Sequence, residues 1–353
     1  MTKSWLAIPV AFAVTAILIH VFRGPAIRLG LVDIPGGRKE HVGEVPLIGG
    51  VAMFLGFASA TLLLEQSLAQ YRALYAGMSL LLVAGILDDL HDLSARAKFA
   101  LQLVAALFLV VWGGLKVTYL GDLLGLGPIH LGILSAPFTI ICVVGLVNAV
   151  NMADGSDGLA GGIVFVMLVW LVAATLLAGL PLPIMPLLLA GSVLAFLLFN
   201  FPHAKRRHAS IFMGDSGSMI LGFATAWFAI HLMSNADGRI PPITVASILM
   251  LPVSDTVILI VRRMYKRRSP MAADREHLHH IFERAGFSRP QTVYTLITTA
   301  GITGTVGIIG WQIALPDAFI FLLLITLFVL HLFFVLHAWR TMRALRRLHR
   351  LRA

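Results

Sequence analysis

The stretch SAPFTIICVVGLVNAVNMADGSDGLAGGIVFVMLVWLVAATLLAG, residues 135–179, places a polar segment between two long apolar runs. A helix needs ~20 mostly apolar residues to cross a bilayer, and each run is close to that length. The polar segment, NAVNMADGSDGL at 148–159, carries two Asn and two Asp side chains. Ionisable groups at membrane helices are costly and are usually functional or paired. The stretch therefore predicts two membrane helices joined by a functional loop.

The rest of the chain has the same apolar character. Of its 353 residues 58% are hydrophobic and 12% are charged, and the mean hydropathy is +0.90. A soluble domain could not bury this much apolar surface, so we predict an all-α polytopic membrane protein. Its eleven predicted transmembrane segments are 5–22, 46–64, 73–88, 98–115, 133–149, 159–179, 184–201, 216–233, 241–261, 293–312 and 318–338.

The basic residues predict the orientation of these segments. Of the 27 Lys and Arg residues, 23 fall in alternate loops and in the tail after 338, and four fall on the other side. This positive-inside pattern predicts an external N-terminus and a cytoplasmic C-terminus. We expect one polytopic domain over 1–353, with a basic tail at 339–353. Its cytoplasmic active-site loops would be 23–45, 89–97, 148–158, 202–215 and 262–292.

The composition also excludes several classes of protein. The basic residues lie between apolar runs rather than on a soluble basic domain, so nucleic-acid binding is not expected. The single cysteine, Cys142, excludes an intramolecular disulfide and argues against a thiolate metal cluster. The apolar segment 5–22 lacks a small-residue cleavage site, so we do not expect a cleaved signal peptide.

The third predicted segment ends in DDLHDL, residues 88–93. Asp88 and Asp92 are four residues apart and would share one helix face, with Asp89 close by. Carboxylates this close repel one another unless a cation lies among them, and Mg²⁺ prefers oxygen ligands. The alternative is a solvated helix end in which Asp92 caps the next helix.

The polar segment at 148–159 repeats Asn or Asp at every third position: Asn148, Asn151, Asp154 and Asp157. Residues three apart are neighbours on a helix. Amide groups both donate and accept hydrogen bonds while carboxylates supply charge, a mixture that suits a base, a ribose or a metal-bound phosphate. A capped helix–loop–helix would explain one or two of these side chains, but not four.

Three further polar segments lie at predicted cytoplasmic ends. MGDSGSM, 213–219, places Asp215 at the start of a helix, with Ser216 and Ser218 available as caps. The Gly- and Pro-rich loop 34–50 carries Lys39 and His41, and it could cover a site or hold an anionic lipid head group. The longest loop contributes a basic group that would hold phosphate oxygens or, as an alternative, zinc. That group consists of Arg275, His277, His279 and His280. Asp255, inside the ninth segment, is expected to be functional or paired.

In this order, the motifs RKEH…PLIGG, DDLHD, NAVNMADGSDGL, GDSGS, PVSD and DREHLHH resemble those of the polyprenyl-phosphate N-acetylhexosamine-1-phosphate transferases. The resemblance covers essentially the whole chain and is closest to the WecA-like branch of this superfamily. One departure is Ala273, which stands where the family pattern has Pro.

The resemblance implies an enzyme of a bacterial cytoplasmic (inner) membrane that works with a UDP-amino sugar and undecaprenyl phosphate. The lipid phosphate would attack the β-phosphorus of the nucleotide sugar and release UMP, as the first step of a cell-surface polysaccharide pathway. The resemblance implies a Mg²⁺ ion, with Mn²⁺ as a substitute, that is held by Asp215 and Asp89. It also implies that Asp88 orients or deprotonates the lipid phosphate. The nucleotide sugar would be bound by Asn151, Asp154 and Asp157. The histidines of the long loop would hold phosphate or sugar oxygens.

Several alternatives stay open at this point. GlcNAc is the expected sugar, but another amino sugar or phospho-MurNAc-pentapeptide would give the same reaction. In-line attack and a covalent aspartyl intermediate are both compatible with the motifs, and so is a homodimer. The alternative from another class is a cation-coupled transporter, whose acids should lie near the bilayer midplane. A membrane scaffold would have no need of the Asn/Asp array.

Overall fold

The computed structural model describes residues 4–33, 43–202, 208–267, 277–337 and 340–343, which are mainly helical. The longer α-helices are, in chain order, α1 Ala7–Leu29, α2 Gly49–Thr61, α3 Arg72–His91, α4 Ala95–Leu107, α5 Ser135–Ala153, α6 Leu159–Leu177, α7 Ile184–Asn200, α8 Gly214–Asn235, α9 Pro242–Tyr265, α10 Leu278–Arg284, α11 Arg289–Gln312 and α12 Asp317–Leu336. Two short strands, β1 Val32–Asp33 and β2 Val45–Pro46, pair antiparallel with Val32 opposite Pro46. Helix α4 continues into a π-helical turn, Phe108–Trp112.

The all-α membrane prediction is confirmed. Each of the eleven predicted apolar segments overlaps one of the longer α-helices, and within the described ranges nine helices are long and apolar enough to cross a membrane. Helices α2 and α7 are apolar but shorter. With 13 residues, α2 extends about 20 Å, less than the ~30 Å hydrocarbon core. The orientation of the termini stays a prediction.

The chain divides into two compact units, which we treat separately. The first unit comprises Met1–Thr118 and Leu131–Arg239, and the second comprises Tyr119–His130 and Ile240–Ala353. In the first unit α8 is the central helix: it is buried along nearly its whole length and packs against α2, α3, α5 and α6.

Small residues allow these helices to approach α8 closely. A methyl group at Gly85 of α3 would overlap the backbone of Ser216, and one at Gly50 of α2 would overlap Gly217. Membrane helices associate through such tight packing, because lipid tails are as apolar as the helices themselves. Both contacts lie at the N-terminus of α8. As a result, the ends of α2 and α3 come within hydrogen-bonding reach of that terminus.

In the second unit, α9 packs against α11 and α12, and the short helix α10 packs against α11. One apolar cluster joins Ile258 and Leu259 of α9, Ile281 of α10 and Val335 of α12, all nearly inaccessible to solvent. A helix of only seven residues has little stability of its own, so this burial is what fixes α10 in place. Its position determines where the neighbouring histidines lie.

Candidate active site

Asp88 and Asp89 lie in the last turn of α3, inside the helix rather than beyond it. Asp88 is buried; its Oδ1 accepts a hydrogen bond from Leu93 N at 2.7 Å. Asp89 accepts from Asp215 N at 2.9 Å and from Ser216 N at 3.5 Å. These two amides are among the unpaired N–H groups at the start of α8, so Asp89 caps α8 from a neighbouring helix.

The prediction that Ser216 and Ser218 are available to cap α8 is wrong. Ser216 Oγ donates to Met213 O at 3.3 Å, and Ser218 Oγ donates to Asp215 O at 3.2 Å. Both serines lie inside the helix, where a hydroxyl is better placed to donate to a carbonyl of the preceding turn than to accept from an amide. Asp89 takes the capping role instead.

Lys98, in the first turn of α4, joins two of the carboxylates. Its Nζ lies 2.8 Å from Asp88 Oδ2 and 3.1 Å from Asp215 Oδ2. In the sequence, this lysine was counted only among the 23 basic residues on the predicted cytoplasmic side. Its position, one helix beyond DDLHDL and inside an apolar segment, was the signal that it has a carboxylate partner.

Asn151 of α5 completes the contacts of Asp215. Its Nδ2 donates to Asp215 Oδ1 at 3.0 Å and to Ser218 Oγ at 2.8 Å. Asn148, one turn earlier, instead donates to Oε1 of the buried Gln102 on α4 at 2.7 Å. The structure therefore brings Asn151 to Asp215, whereas the amide of Asn148 links α5 to α4.

Asp154 and Asp157 follow α5, which ends at Ala153. Burial raises the pKa of Asp154 well above its usual value, and the nearby carboxylates of Asp215, Asp89 and Asp157 raise it further. Asp157 Oδ2 accepts from Ala209 N at 2.9 Å, which ties this loop to the one before α8. The four Asn and Asp residues therefore do not form one helical row, because the helix ends before the last two.

Asn200, at the end of α7, was missed by the sequence analysis. Its side chain is buried, accepts from Gly158 N at 2.7 Å and donates to Ile211 O at 2.9 Å. It thereby fastens the same two loops together.

The prediction that Asp92 groups with Asp88 and Asp89 is wrong. This residue ends α3 in the left-handed conformation, with φ 54°, and its side chain is exposed. Nor does Asp92 cap the next helix, because Ser94 Oγ accepts from Ala97 N at 3.3 Å. We use the name carboxylate cluster for Asp88, Asp89, Asp154 and Asp215 together with Lys98 and Asn151.

A second polar group, in the second unit, is centred on Asp255. Its Oδ2 lies 3.0 Å from His277 Nδ1, and its Oδ1 accepts from Leu278 N at 3.3 Å and lies 3.5 Å from His331 Nε2. The prediction that Asp255 is paired is therefore confirmed. We call Asp255, His277, His279, His280 and His331 the histidine cluster.

The three loop histidines are in ring contact with one another. The rings of His277 and His279 stack at 5.5 Å and those of His279 and His280 lie 4.1 Å apart. Burial, with the neighbouring His280 and His277, lowers the pKa of His279 to about 3. His279 is therefore neutral at physiological pH. The predicted residues Lys39, His41 and Arg275 lie outside the described residues.

Whether the carboxylate cluster suits a divalent cation depends on its donors and its charge. Within the described part of the chain no three His, Cys, Asp or Glu side chains are already gathered as a metal-binding group. The cluster nevertheless holds four carboxylates against the single ammonium of Lys98. Carboxylate oxygens are the ligands that Mg²⁺ prefers, and each has more than one lone pair. The donor chemistry and the excess negative charge therefore fit a hard cation.

Comparison with known proteins agrees with the family resemblance of the sequence motifs. The model of glycosyl transferase family 4 matches residues 71–233, which include the whole carboxylate cluster. An undecaprenyl-phosphate alpha-N-acetylglucosaminyl 1-phosphate transferase of Yersinia pestis is 31% identical over 91% of this chain and 88% of its own length.

Two further relatives carry similar names. The enzyme of the same name from Escherichia coli K12 is 30% identical over 85% of this chain and 82% of its own. A probable undecaprenyl-phosphate N-acetylglucosaminyl 1-phosphate transferase of Bacillus subtilis is 31% identical over 94% of this chain and 90% of its own. These alignments cover more than four fifths of both partners.

Proposed function

The chain belongs to glycosyl transferase family 4, and from that premise we propose that it transfers N-acetylglucosamine 1-phosphate from UDP-GlcNAc to undecaprenyl phosphate. An oxygen of the lipid phosphate attacks the β-phosphorus of the nucleotide sugar. The bond from that phosphorus to the bridging oxygen breaks, and UMP leaves. The observation that carries the proposal is the junction of Asp88, Lys98 and Asp215 where α3, α4 and α8 meet, within the region that matches the family.

The chemistry explains why carboxylates gather there. Two anionic phosphates must approach each other, so catalysis of phosphoryl transfer consists mainly of positioning and of neutralising charge. A bound Mg²⁺ or Mn²⁺ would supply that neutralisation, and Asp215 and Asp89 are the residues we propose to hold it. Lys98 pairs with the Asp88 carboxylate at 2.8 Å and holds it in place.

We assign the remaining roles from the resemblance and the contacts together. Asp88 orients or deprotonates the lipid phosphate. Asp154 and Asp157 serve the nucleotide sugar, with Asn151 holding Asp215 in position. The loop histidines His277, His279 and His280 contact phosphate or sugar oxygens.

We further propose that the site faces the cytoplasm of a bacterial inner membrane, since 23 of the 27 Lys and Arg residues lie on that side in the predicted topology. The test uses single cysteines in a Cys142→Ala background. An impermeant thiol reagent should label Leu126→Cys in intact cells, and Gly155→Cys only after permeabilisation; both positions are exposed. Labelling of Gly155→Cys in intact cells would reverse the orientation.

The reaction itself is tested with purified protein, undecaprenyl phosphate, Mg²⁺ and a panel of UDP-sugars. We expect UMP release with UDP-GlcNAc that depends on the lipid. Faster release with another amino sugar would correct the substrate, and no release with any of them would reject the activity. The transferase initiates a cell-surface polysaccharide of the O-antigen, common-antigen or teichoic-acid type; a null mutant that loses the polymer would identify which.

A further inference from the structure

His331 is a histidine within the membrane helix α12 that the site described above does not use. Its side chain is 12% exposed, and both ring nitrogens point to α9. Nε2 lies 3.5 Å from Asp255 Oδ1, at ion-pair distance, and Nδ1 lies 3.3 Å from Ser254 Oγ. A buried imidazole inside a membrane helix is costly, so these contacts call for an explanation.

The position of the protons on His331 follows from its neighbours. Ser254 Oγ lies 3.0 Å from Leu251 O as well as 3.3 Å from the His331 ring. If the Ser254 hydroxyl donates to Leu251 O, His331 Nδ1 carries a proton and donates to Ser254 Oγ. If the hydroxyl instead donates to His331 Nδ1, the ring proton is on Nε2. In the first case a neutral ring would turn a bare Nε2 lone pair towards the carboxylate, which repels it, so the second case is favoured. His331 therefore turns an Nε2–H towards Asp255 at 3.5 Å, an electrostatic contact outside hydrogen-bond geometry.

The other oxygen of Asp255 fixes His277 in the same way. An ionised carboxylate only accepts hydrogen bonds, so His277 Nδ1, at 3.0 Å from Oδ2, carries a proton. Leu278 N donates to Oδ1 at 3.3 Å and holds the start of α10 against the same carboxylate. With Nδ1 engaged, Nε2 is the nitrogen of His277 that remains for a ligand.

We propose that Asp255 and His331 are positioning residues for His277: Asp255 orients its ring and holds the Nδ1 proton, and His331 moderates that hold by sharing the carboxylate. The proposal rests on the proposed function, in which His277 contacts a phosphate oxygen. A cationic His277 binds such an oxygen best, so transfer should fall as the pH rises and the ring loses its proton. The strength with which Asp255 holds that proton then sets the pH of the fall.

Other titratable groups surround this pair and stay unchanged in the test. His279 and His280 contact His277 from α10, and Glu283 lies 4.0 Å from His280. Arg262 and Arg263 are buried further along α9. Because these groups are common to every variant, only the difference between variants reports on Asp255 and His331.

The experiment measures kcat against pH with UDP-GlcNAc, undecaprenyl phosphate and Mg²⁺ at saturation. His331→Phe leaves the whole charge of Asp255 to His277, so the descending limb should move up by about 1 pH unit. Asp255→Asn removes the charge and should move the limb in the opposite direction. His331→Gln restores an N–H donor to Asp255, so its limb should return towards that of the wild type.

The matched control is His337→Phe, since His337 lies near the same end of α12 and contacts the backbone and ring of Phe333. Its limb should stay at the wild-type pH. An unshifted limb in His331→Phe, or a downward shift, overturns the proposal while wild-type transfer leaves the function standing. If His331→Phe fails to fold, the Asp255→Asn and His331→Gln limbs decide. A wild type that releases no UMP rejects the function itself.

Discussion

The carboxylate cluster of the first unit and the histidine cluster of the second use opposite charge arrangements. In the first, four carboxylates gather around one ammonium that pairs with only two of them, and Asp89 also accepts from amides that begin α8. In the second, a single carboxylate, Asp255, lies between two imidazoles and a backbone amide. One cluster has excess negative charge, whereas the other has excess N–H donors.

The difference shows what each cluster can bind. Excess carboxylate oxygen favours a hard cation, and excess N–H favours a phosphate oxygen. A reaction between two phosphates needs both kinds of group. Under the proposed function, the carboxylate cluster would therefore neutralise charge and the histidine cluster would contact anions. The pH profiles above test the histidine cluster, and the predictions below test the carboxylate cluster.

The largest expected effect is the loss of activity when divalent cations are removed. If the carboxylate cluster works with a cation, EDTA should abolish UMP release, and added Mg²⁺ or Mn²⁺ should restore it. Asp215→Asn should also abolish transfer, because it removes a proposed ligand. Thermal unfolding in detergent is measured in parallel. Transfer that survives EDTA would break the comparison, and an Asp215→Asn protein that aggregates would show that Asp215 is mainly structural.

The next effect separates two residues within the carboxylate cluster. Asp88→Asn should lower kcat by about 10²–10⁴-fold, the range typical of a general base, and leave UDP-GlcNAc affinity nearly intact. Asp154→Asn should weaken UDP-GlcNAc binding as well as the rate. Titration of the nucleotide sugar onto each purified variant, beside turnover, decides the matter. The opposite pattern would assign the loop after α5 to the lipid, and a fall of less than about tenfold for Asp88→Asn would remove its proposed role.

Lys98 provides a test of the charge balance itself. Lys98→Met should destabilise the protein by about 2 kcal/mol, below the cost of breaking a fully buried ion pair because the lysine side chain is 28% exposed. Arg96→Met, two residues earlier in α4 and exposed, is the matched control and should cost little. Both are measured by thermal unfolding without divalent cations. Equal stability of the two variants would mean that Lys98 does not offset the carboxylates.

The smallest expected effect is the contribution of Asp154 to the pH dependence of stability in the metal-free protein. Its raised pKa means that, between the usual aspartate pKa of ~4 and the raised value, the folded state binds more protons than the unfolded state. Stability must therefore fall as the pH rises through this window. Asp154→Asn does not titrate, so its Tm should exceed that of the wild type by a few degrees at pH 8 and by less at pH 5.

The control for this measurement is Asp237→Asn, an exposed carboxyl whose replacement should not change Tm differently at the two pH values. A Tm gain for Asp154→Asn that is the same at pH 5 and pH 8 would mean that burial of its charge is not the cause.

The sequence predicted the fold well because a membrane span is a local property, determined by the length and apolarity of one segment. It also predicted where Asp88, Asp89 and Asp215 stand, at the ends of such segments. It did not predict their partners. Lys98 and Asp215 are 117 residues apart and Asp157 and Ala209 are 52 apart, so these pairings depend on how the helices pack.

The same limit applies to the second unit. The cost of an acid in a membrane helix predicted that Asp255 has a partner, but not that one partner would be His331, 76 positions later in the sequence. Helix ends were a second limit. The sequence placed residues 148–158 in a loop but treated the Asn and Asp side chains as helical neighbours, and only the structure shows that α3 and α5 end at His91 and Ala153.

The capping of α8 by Asp89 has a consequence for how this protein can evolve. The carboxylate that caps the central helix lies within the cluster that we propose performs the chemistry, and Gly50 and Gly85 provide the space for that contact. Substitutions at these three positions would damage folding and activity together, so selection for a new sugar has little freedom there. Exposed positions in the neighbouring loops, such as Gly155 and His208, are freer to change. Laboratory evolution towards a different donor should accumulate its changes in those loops.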